Sequence, residues 1–98
     1  MHVILWEFTI KPEKQQAFFD AYGPEGNWAQ LFRRAEGYLG TELLQSDQLA
    51  TFITIDRWDH VADFERFKDR FKIEYQQLDA RFEQLTVSER KLGTYTIV

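Results

Sequence analysis

The chain contains no cysteine among its 98 residues. That removes disulfide frameworks and thiolate metal sites, and with them any sign of an oxidising compartment. Histidine is almost as scarce: His2 and His60 are the only two, far apart and outside any HExxH, EF-hand or paired-histidine spacing, so no metal site is expected. Basic residues are outnumbered 12 to 16 by acidic ones, leaving a net charge of −4. This is the wrong sign for a surface built to hold phosphate backbones. No apolar run approaches the ~20 residues of a membrane span. The start, M-H-V-I-L-W-E, lacks the basic region of a signal peptide, so a cytoplasmic location is expected. There is no G-x-S-x-G: Ser46 falls in a turn and Ser88 in a helix-start pattern, which leaves no acyl-transfer triad. Gly37-x-x-Gly40 is too short for a phosphate loop and leads into a strand instead of a helix. Linkers, internal repeats and low-complexity segments are also missing, so residues 1–98 are read as a single domain.

What the chain has in quantity is rings: nine Phe, four Tyr and three Trp. A chain of this length buries only roughly 60–70% of its unfolded surface. Its rings therefore build the small core, line a cavity or meet a partner. Residues 2–10 read as a strand with Ile4, Trp6, Phe8 and Ile10 on one face and Val3, Leu5, Glu7 and Thr9 on the other. Both faces are largely apolar, so both must be covered. Pro12 suits the first turn of a helix that buries Phe18 and Tyr22 and ends at Gly23-Pro24. A second helical piece starts near Asn27 and carries Trp28, Leu31, Phe32 and Ala35, with Gly37 past its end. Residues 38–46 and 50–58 form a hairpin around Ser46-Asp47-Gln48, and Asp59 is placed to cap the next helix. From Val61 to Leu85 apolar residues advance by threes and fours. A straight helix over 60–85 would be about 38 Å long, so a bend or break is expected near Lys72. Thr86-Val87-Ser88-Glu89 has the spacing of a capping box for one more short helix, closed by Gly93, with T-Y-T-I-V as a last strand.

This order predicts an α+β, ferredoxin-like βαββαβ fold: a four-stranded antiparallel sheet with both helices on one face. A second copy of the same sheet is the simplest cover for the other face, so a homodimer is expected. RNA-binding domains share this element order. The stretch E-G-Y-L-G-T-E-L (36–43) loosely echoes their aromatic motif, but Glu36 stands where a basic residue belongs and the strand is the second instead of the third. No nucleic-acid partner is expected.

Polar groups on otherwise apolar elements are the candidates for chemistry: Glu7, Glu42, Thr54, Asp56, Arg57 and His60, near Trp6, Tyr22, Trp28, Trp58 and Tyr75. A carboxylate at Glu7 is costly to bury alone. Either it pairs with Arg57 or a ring hydroxyl, or it faces a cavity as a base with a raised pKa. His60 is either an exposed first-turn residue or a proton shuttle at a cavity mouth. Trp58 reads as core or interface packing, and Tyr22 and Tyr75 either as core rings with wet tips or as pocket hydroxyls. The break Y-G-P-E-G-N-W (22–28) either lets one helix bend or forms a rim flanked by Tyr22 and Trp28.

The segments W-E-F-T-I-K-P, Y-G-P-E-G-N-W-A-Q-L-F-R, G-Y-L-G-T-E-L-L and F-I-T-I-D-R-W, with a later F-x-x-F and Tyr, resemble the antibiotic biosynthesis monooxygenase family, in a bacterial branch, over nearly the whole chain. The resemblance implies a dimeric α/β barrel of two sheets back to back. It also implies a cofactor-independent monooxygenase oxidising an aromatic phenol or quinol with O₂, without metal or flavin. For the implied site, Glu7, Arg57 and His60 are the catalytic candidates: Glu7 or His60 as base, Arg57 steadying the anion. Tyr22, Asn27, Trp28, Trp58 and Tyr75 are the substrate-binding candidates. Haem-degrading relatives carry an Asn, a Trp and a His where this chain has Glu7, Phe67 and Gln77, which argues against that activity. The alternative is a non-catalytic dimer of the same fold that binds a small ligand or serves in stress protection.

Overall fold

The computed structural model describes all of residues 1–98. Its strands are β1 (His2–Ile10), β2 (Tyr38–Gln45), β3 (Thr51–Trp58) and β4 (Thr86–Thr96). Its helices are α1 (Gln15–Tyr22), α2 (Asn27–Phe32), α3 (Val61–Arg70) and α4 (Lys72–Phe82). The strands form one antiparallel sheet in the order β2-β3-β1-β4. This is the predicted ferredoxin-like arrangement, with each helical half split in two. No helix is long and apolar enough to cross a membrane.

Local chemistry explains the splits. Pro12 opens a 3-10 turn that feeds α1, the position where a missing N–H costs nothing. Gly23, which precedes Pro24, is extended at φ −70°, ψ 174°, as a residue before proline prefers. Its N–H still closes α1 on the Phe19 carbonyl at 2.9 Å. Gly26 then passes so close to α1 that a Cβ there would stand 2.6 Å from the Ala21 oxygen. In the second half the break falls at Phe71, with φ −107° and ψ 29°, one residue before the expected Lys72. Phe67 and Phe71, before and at the break, stay buried in the core, and α4 packs against α2 and α3.

The core lies between the helices and one sheet face. Ile4, Phe8, Ile10, Phe52 and Trp58 rise from the sheet to meet Phe18, Leu31, Phe32, Phe67 and Phe82. Trp58, Phe18 and Phe67 are fully sealed. The opposite sheet face carries Leu5 and Glu7 from β1, Ile53, Ile55 and Arg57 from β3, Leu44 from β2 and Tyr95 from β4. Leu44 and Tyr95 are 43% and 51% exposed. The first strand is thus apolar on both sides, and in one chain only one side has helices on it.

Three expectations need correction. Residues 86–96 are one continuous strand, not a short helix followed by a terminal strand. The capping-box spacing is present, but β1 offers an unpaired edge, and β4 fills it from Thr86 to Thr96. Thr86 and Val87 also favour extended backbone, and the ladder overrides the local helix signal. Helix α2 ends at Phe32 instead of running to Ala35. The N-cap of α3 is His60, not Asp59: the Asp63 carboxylate accepts the His60 backbone N–H at 3.2 Å, while the Asp59 N–H is taken by the Gly37 carbonyl at 2.7 Å.

Candidate functional site

A cleft of about 500 Å³, counted out to its open mouth, separates the helices from the sheet. Its walls are rings. Trp6 and Phe8 come from β1, Tyr22 from the end of α1, Trp28 and Phe32 from α2, and Tyr75 from α4. Trp28 meets Tyr75 edge-on with centroids 5.0 Å apart, and Tyr22 packs against Phe8 at 4.8 Å. About 70 Å³ of this is enclosed free space, so a flat molecule seated against the aromatic lining extends through the open mouth. The Gly-Pro-Glu-Gly break positions two of these rings, since it releases the chain from α1 just after Tyr22 and starts α2 just before Trp28. Arg33 clamps the break by donating to the Pro24 carbonyl at 2.9 Å and pairing with Glu25 at 3.0 Å.

The polar groups of the cleft are Thr41, Thr54, Asp56, Asp79 and Glu89. Asp56 sits on β3 in step with Phe52, Thr54 and Trp58, all facing the helices. Thr41 Oγ1 donates to Asp56 Oδ1 at 2.6 Å, and Tyr38 Oη lies 2.6 Å from the same threonine oxygen. Because threonine has one proton to give, Tyr38 donates to Thr41 whenever Thr41 donates to Asp56. Tyr38 and Thr41 are three residues apart and would face opposite sides of a regular strand. A bulge puts them together: the β2–β3 register shifts between Tyr38 and Gly40, with Gly40 at φ 133°.

Burial sets the protonation chemistry. Desolvation pushes the Asp56 carboxyl up to about 6, against the downward pull of the Thr41 hydrogen bond. Burial likewise raises the Tyr75 hydroxyl to about 12, helped by the negative charges of Asp79, Asp56 and Glu89. It raises Tyr22 further, with Trp28 pulling the other way and Glu89, Asp79 and Tyr75 adding to the rise. The Trp28 indole approaches the Tyr22 hydroxyl without reaching hydrogen-bond geometry, and its buried Nε1–H has no partner. Near neutral pH the cleft therefore presents two neutral phenols and one carboxylate poised to exchange a proton.

The residues singled out from the sequence separate into the cleft, the core, the surface and the far face of the sheet. Tyr22, Trp28 and Tyr75 line the cleft together. Trp58 does not: it is fully buried in the core between Phe32, Tyr38, Phe64 and Phe67. Asn27 is partly exposed at the first turn of α2, outside the lining. Glu7 and Arg57 lie on the far face of the sheet. Glu7 accepts from Arg90 at 3.1 Å, and Arg57 donates to Glu42, so neither reaches the cleft and they do not pair with each other. His60 is exposed beside Asp59 and Asp63. Those three come within 4.8 Å of one another, but the Asp63 oxygens are occupied by Arg66 and the His60 N–H. Of the remaining lining residues, Thr54, Asp56 and Trp6 were noted in the sequence without a catalytic or binding role, and Thr41, Asp79 and Glu89 were not singled out for chemistry. For Asp56 the signal was available: it alternates with Thr54 and Trp58 on the core side of β3, while Arg57 falls on the other side.

The family model of antibiotic biosynthesis monooxygenases matches residues 1–71. No curated protein matches the sequence. Among solved structures, a Nitrosomonas europaea protein assigned to the same monooxygenases superposes with a TM-score of 0.75 at 20% identity, over 100% of this chain and 99% of that one. The cofactor-independent oxygenase SnoaB of Streptomyces nogalater gives 0.67 at 20% identity, over 99% and 92%. A Deinococcus radiodurans protein with the same family assignment gives 0.76 at 14%, over 100% and 93%. At these identities the likeness to each structure is one of fold.

Proposed function

The chain belongs to the antibiotic biosynthesis monooxygenase family, and from that premise we propose that residues 1–98 are a single-domain, cytoplasmic, homodimeric monooxygenase that oxidises an aromatic small molecule in the helix–sheet cleft without a cofactor. The observation that carries this reading is Asp56: a carboxylate with a pKa raised to about 6, set in an aromatic-walled cleft and held by Thr41. Tyr22, Trp28 and Tyr75 grip the ring. Asp56 takes the phenolic proton, which is the step that makes the ring electron-rich enough to react with O₂. In the overall reaction phenol plus O₂ gives quinone plus water: one oxygen atom enters the ring carbon and the other leaves carrying both displaced hydrogens. The dimer reading draws on the apolar far face of the sheet, where the Glu7–Arg90 and Glu42–Arg57 pairs would lie at or near the junction of two copies.

The test is O₂ uptake with a panel of phenols and hydroquinones, comparing wild type with Asp56→Asn. Turnover that falls about 10²-fold or more in Asp56→Asn supports the assignment. Turnover retained there but lost in Glu7→Gln or Arg57→Ala places the base on the far face and rejects it. One observation favours the second reading, a non-catalytic dimer that binds a small ligand or serves in stress protection. No lysine or arginine lines the cleft, so a phenolate would form there without a balancing positive charge. Binding of phenols with no O₂ uptake from any of them would establish that reading over the first.

A further inference from the structure

The charge of the cleft is one-sided beyond what a single base requires. Besides Asp56, Asp79 of α4 and Glu89 of β4 line it, and no lysine or arginine does. Burial raises the Glu89 carboxyl and Asp79 adds to the rise, and both acids hold up the Tyr22 and Tyr75 hydroxyls. Tyr22 and Trp28 line the same cleft as the two acids. Tyr22 is 8% exposed and Trp28 9%. The Trp28 Nε1–H is a buried donor with no acceptor in the chain.

The rings complete the recognition chemistry. Trp6, Tyr22, Trp28 and Tyr75 surround the space with aromatic surface, and a cation gains from such surface as well as from nearby carboxylates. The Tyr75 ring already attracts one cation: Lys68 Nζ stands 5.3 Å from its centroid, although Lys68 does not line the cleft. A ligand carrying a carboxylate would meet like charge at Asp79 and Glu89. These two acids, with Tyr75, also lie beyond residue 71, where the family match ends. The acidic end is thus supplied by the part of this chain that its family features describe least.

We propose that the cleft selects an aromatic ligand bearing a positive charge, an aryl-alkyl amine, with its ring among Trp6, Trp28 and Tyr75, its hydroxyl toward Asp56 and its ammonium between Asp79 and Glu89. This rests on the reading of the cleft as a ligand site and adds the charge class of what enters it.

The experiment is isothermal titration calorimetry of the intact protein at pH 7.5 and low salt, with three probes of the same ring and similar reach. Tyramine is cationic, 4-ethylphenol neutral and 3-(4-hydroxyphenyl)propionate anionic. Tyramine is expected to bind about tenfold more tightly than 4-ethylphenol, with the propionate weakest. That advantage is expected to shrink to about threefold or less in the Asp79→Asn/Glu89→Gln double variant, and likewise for wild type at high salt. Equal binding of tyramine and 4-ethylphenol, preference for the propionate, or an advantage that survives both the double variant and salt overturns the charge assignment while leaving the ligand site standing. Failure of all three probes to bind removes both.

Discussion

At the scale of single residues, Asp56 concentrates the conflict between folding and function. Its folded pKa, about 6, lies above the ordinary 3.8. Between those values the folded chain therefore holds more protons than the unfolded one, so stability falls as pH rises from about 4 to 6 and levels off above that. Asp56→Asn removes this liability while keeping an oxygen to accept from Thr41. The variant is expected to be more stable than wild type by about 2 kcal/mol at pH 8, with the difference vanishing near pH 4. Urea unfolding at the two pH values checks it. If Asp56 is the base, turnover of the wild type rises through about pH 6 to a plateau, and the same substitution that stabilises the fold abolishes that rise. Thr41→Val takes away the hydrogen bond that holds the Asp56 pKa down. The upper end of the wild-type stability decline is then expected to move to higher pH, by about one unit, readable in the same titration.

At the scale of elements, the tightest constraint is the Gly-Pro-Glu-Gly break. A methyl at Gly26 would drive into the Ala21 and Asp20 carbonyls, at 2.6–2.7 Å. That is backbone, which cannot swing aside. Gly26→Ala is expected to cost about 1–3 kcal/mol and to lower Tm by roughly 4–8 °C for each. Binding should weaken as well, because Tyr22 and Trp28 flank the break; calorimetric melting and ligand titration separate the two effects. Periodicity made most elements legible in the sequence: β1, the β2–β3 hairpin, and the ring ladder of α3 and α4 with its bend all follow from spacing and length. The fate of residues 86–96 did not, because Thr-x-x-Glu caps helices in general and only the free edge of β1 makes a strand there. The cleft was half legible. Tyr22, Trp28 and Tyr75 sit at helical spacings that face the sheet. Thr41 reaches Asp56 only through a bulge that no local pattern announces, and Glu89 needed a strand where a helix was expected. Glu7 and Arg57 drew notice as charges among apolar neighbours, but their strand parity turns them to the far face.

At the scale of the whole molecule, that far face decides how the chain exists in solution. Ile53 and Ile55 occupy its central strand with Leu5 beside them and Leu44 and Tyr95 farther out, an apolar surface that one chain leaves without helices. If two copies join there, Ile55→Asp plants a charge in the seam. Sedimentation at micromolar concentration should then show a shift from dimer to monomer with a loss of thermal stability, whereas a wild type that sediments as a stable monomer rejects the joint. The far face and the cleft lie on opposite sides of one sheet, so such a variant tests assembly without touching the lining. The three tryptophans are divided in a way that gives the protein its own optical gauge. Trp6 and Trp28 border the cleft while Trp58 is sealed in the core. A molecule entering the cleft should quench or shift the emission of the first two and leave the third as an internal standard.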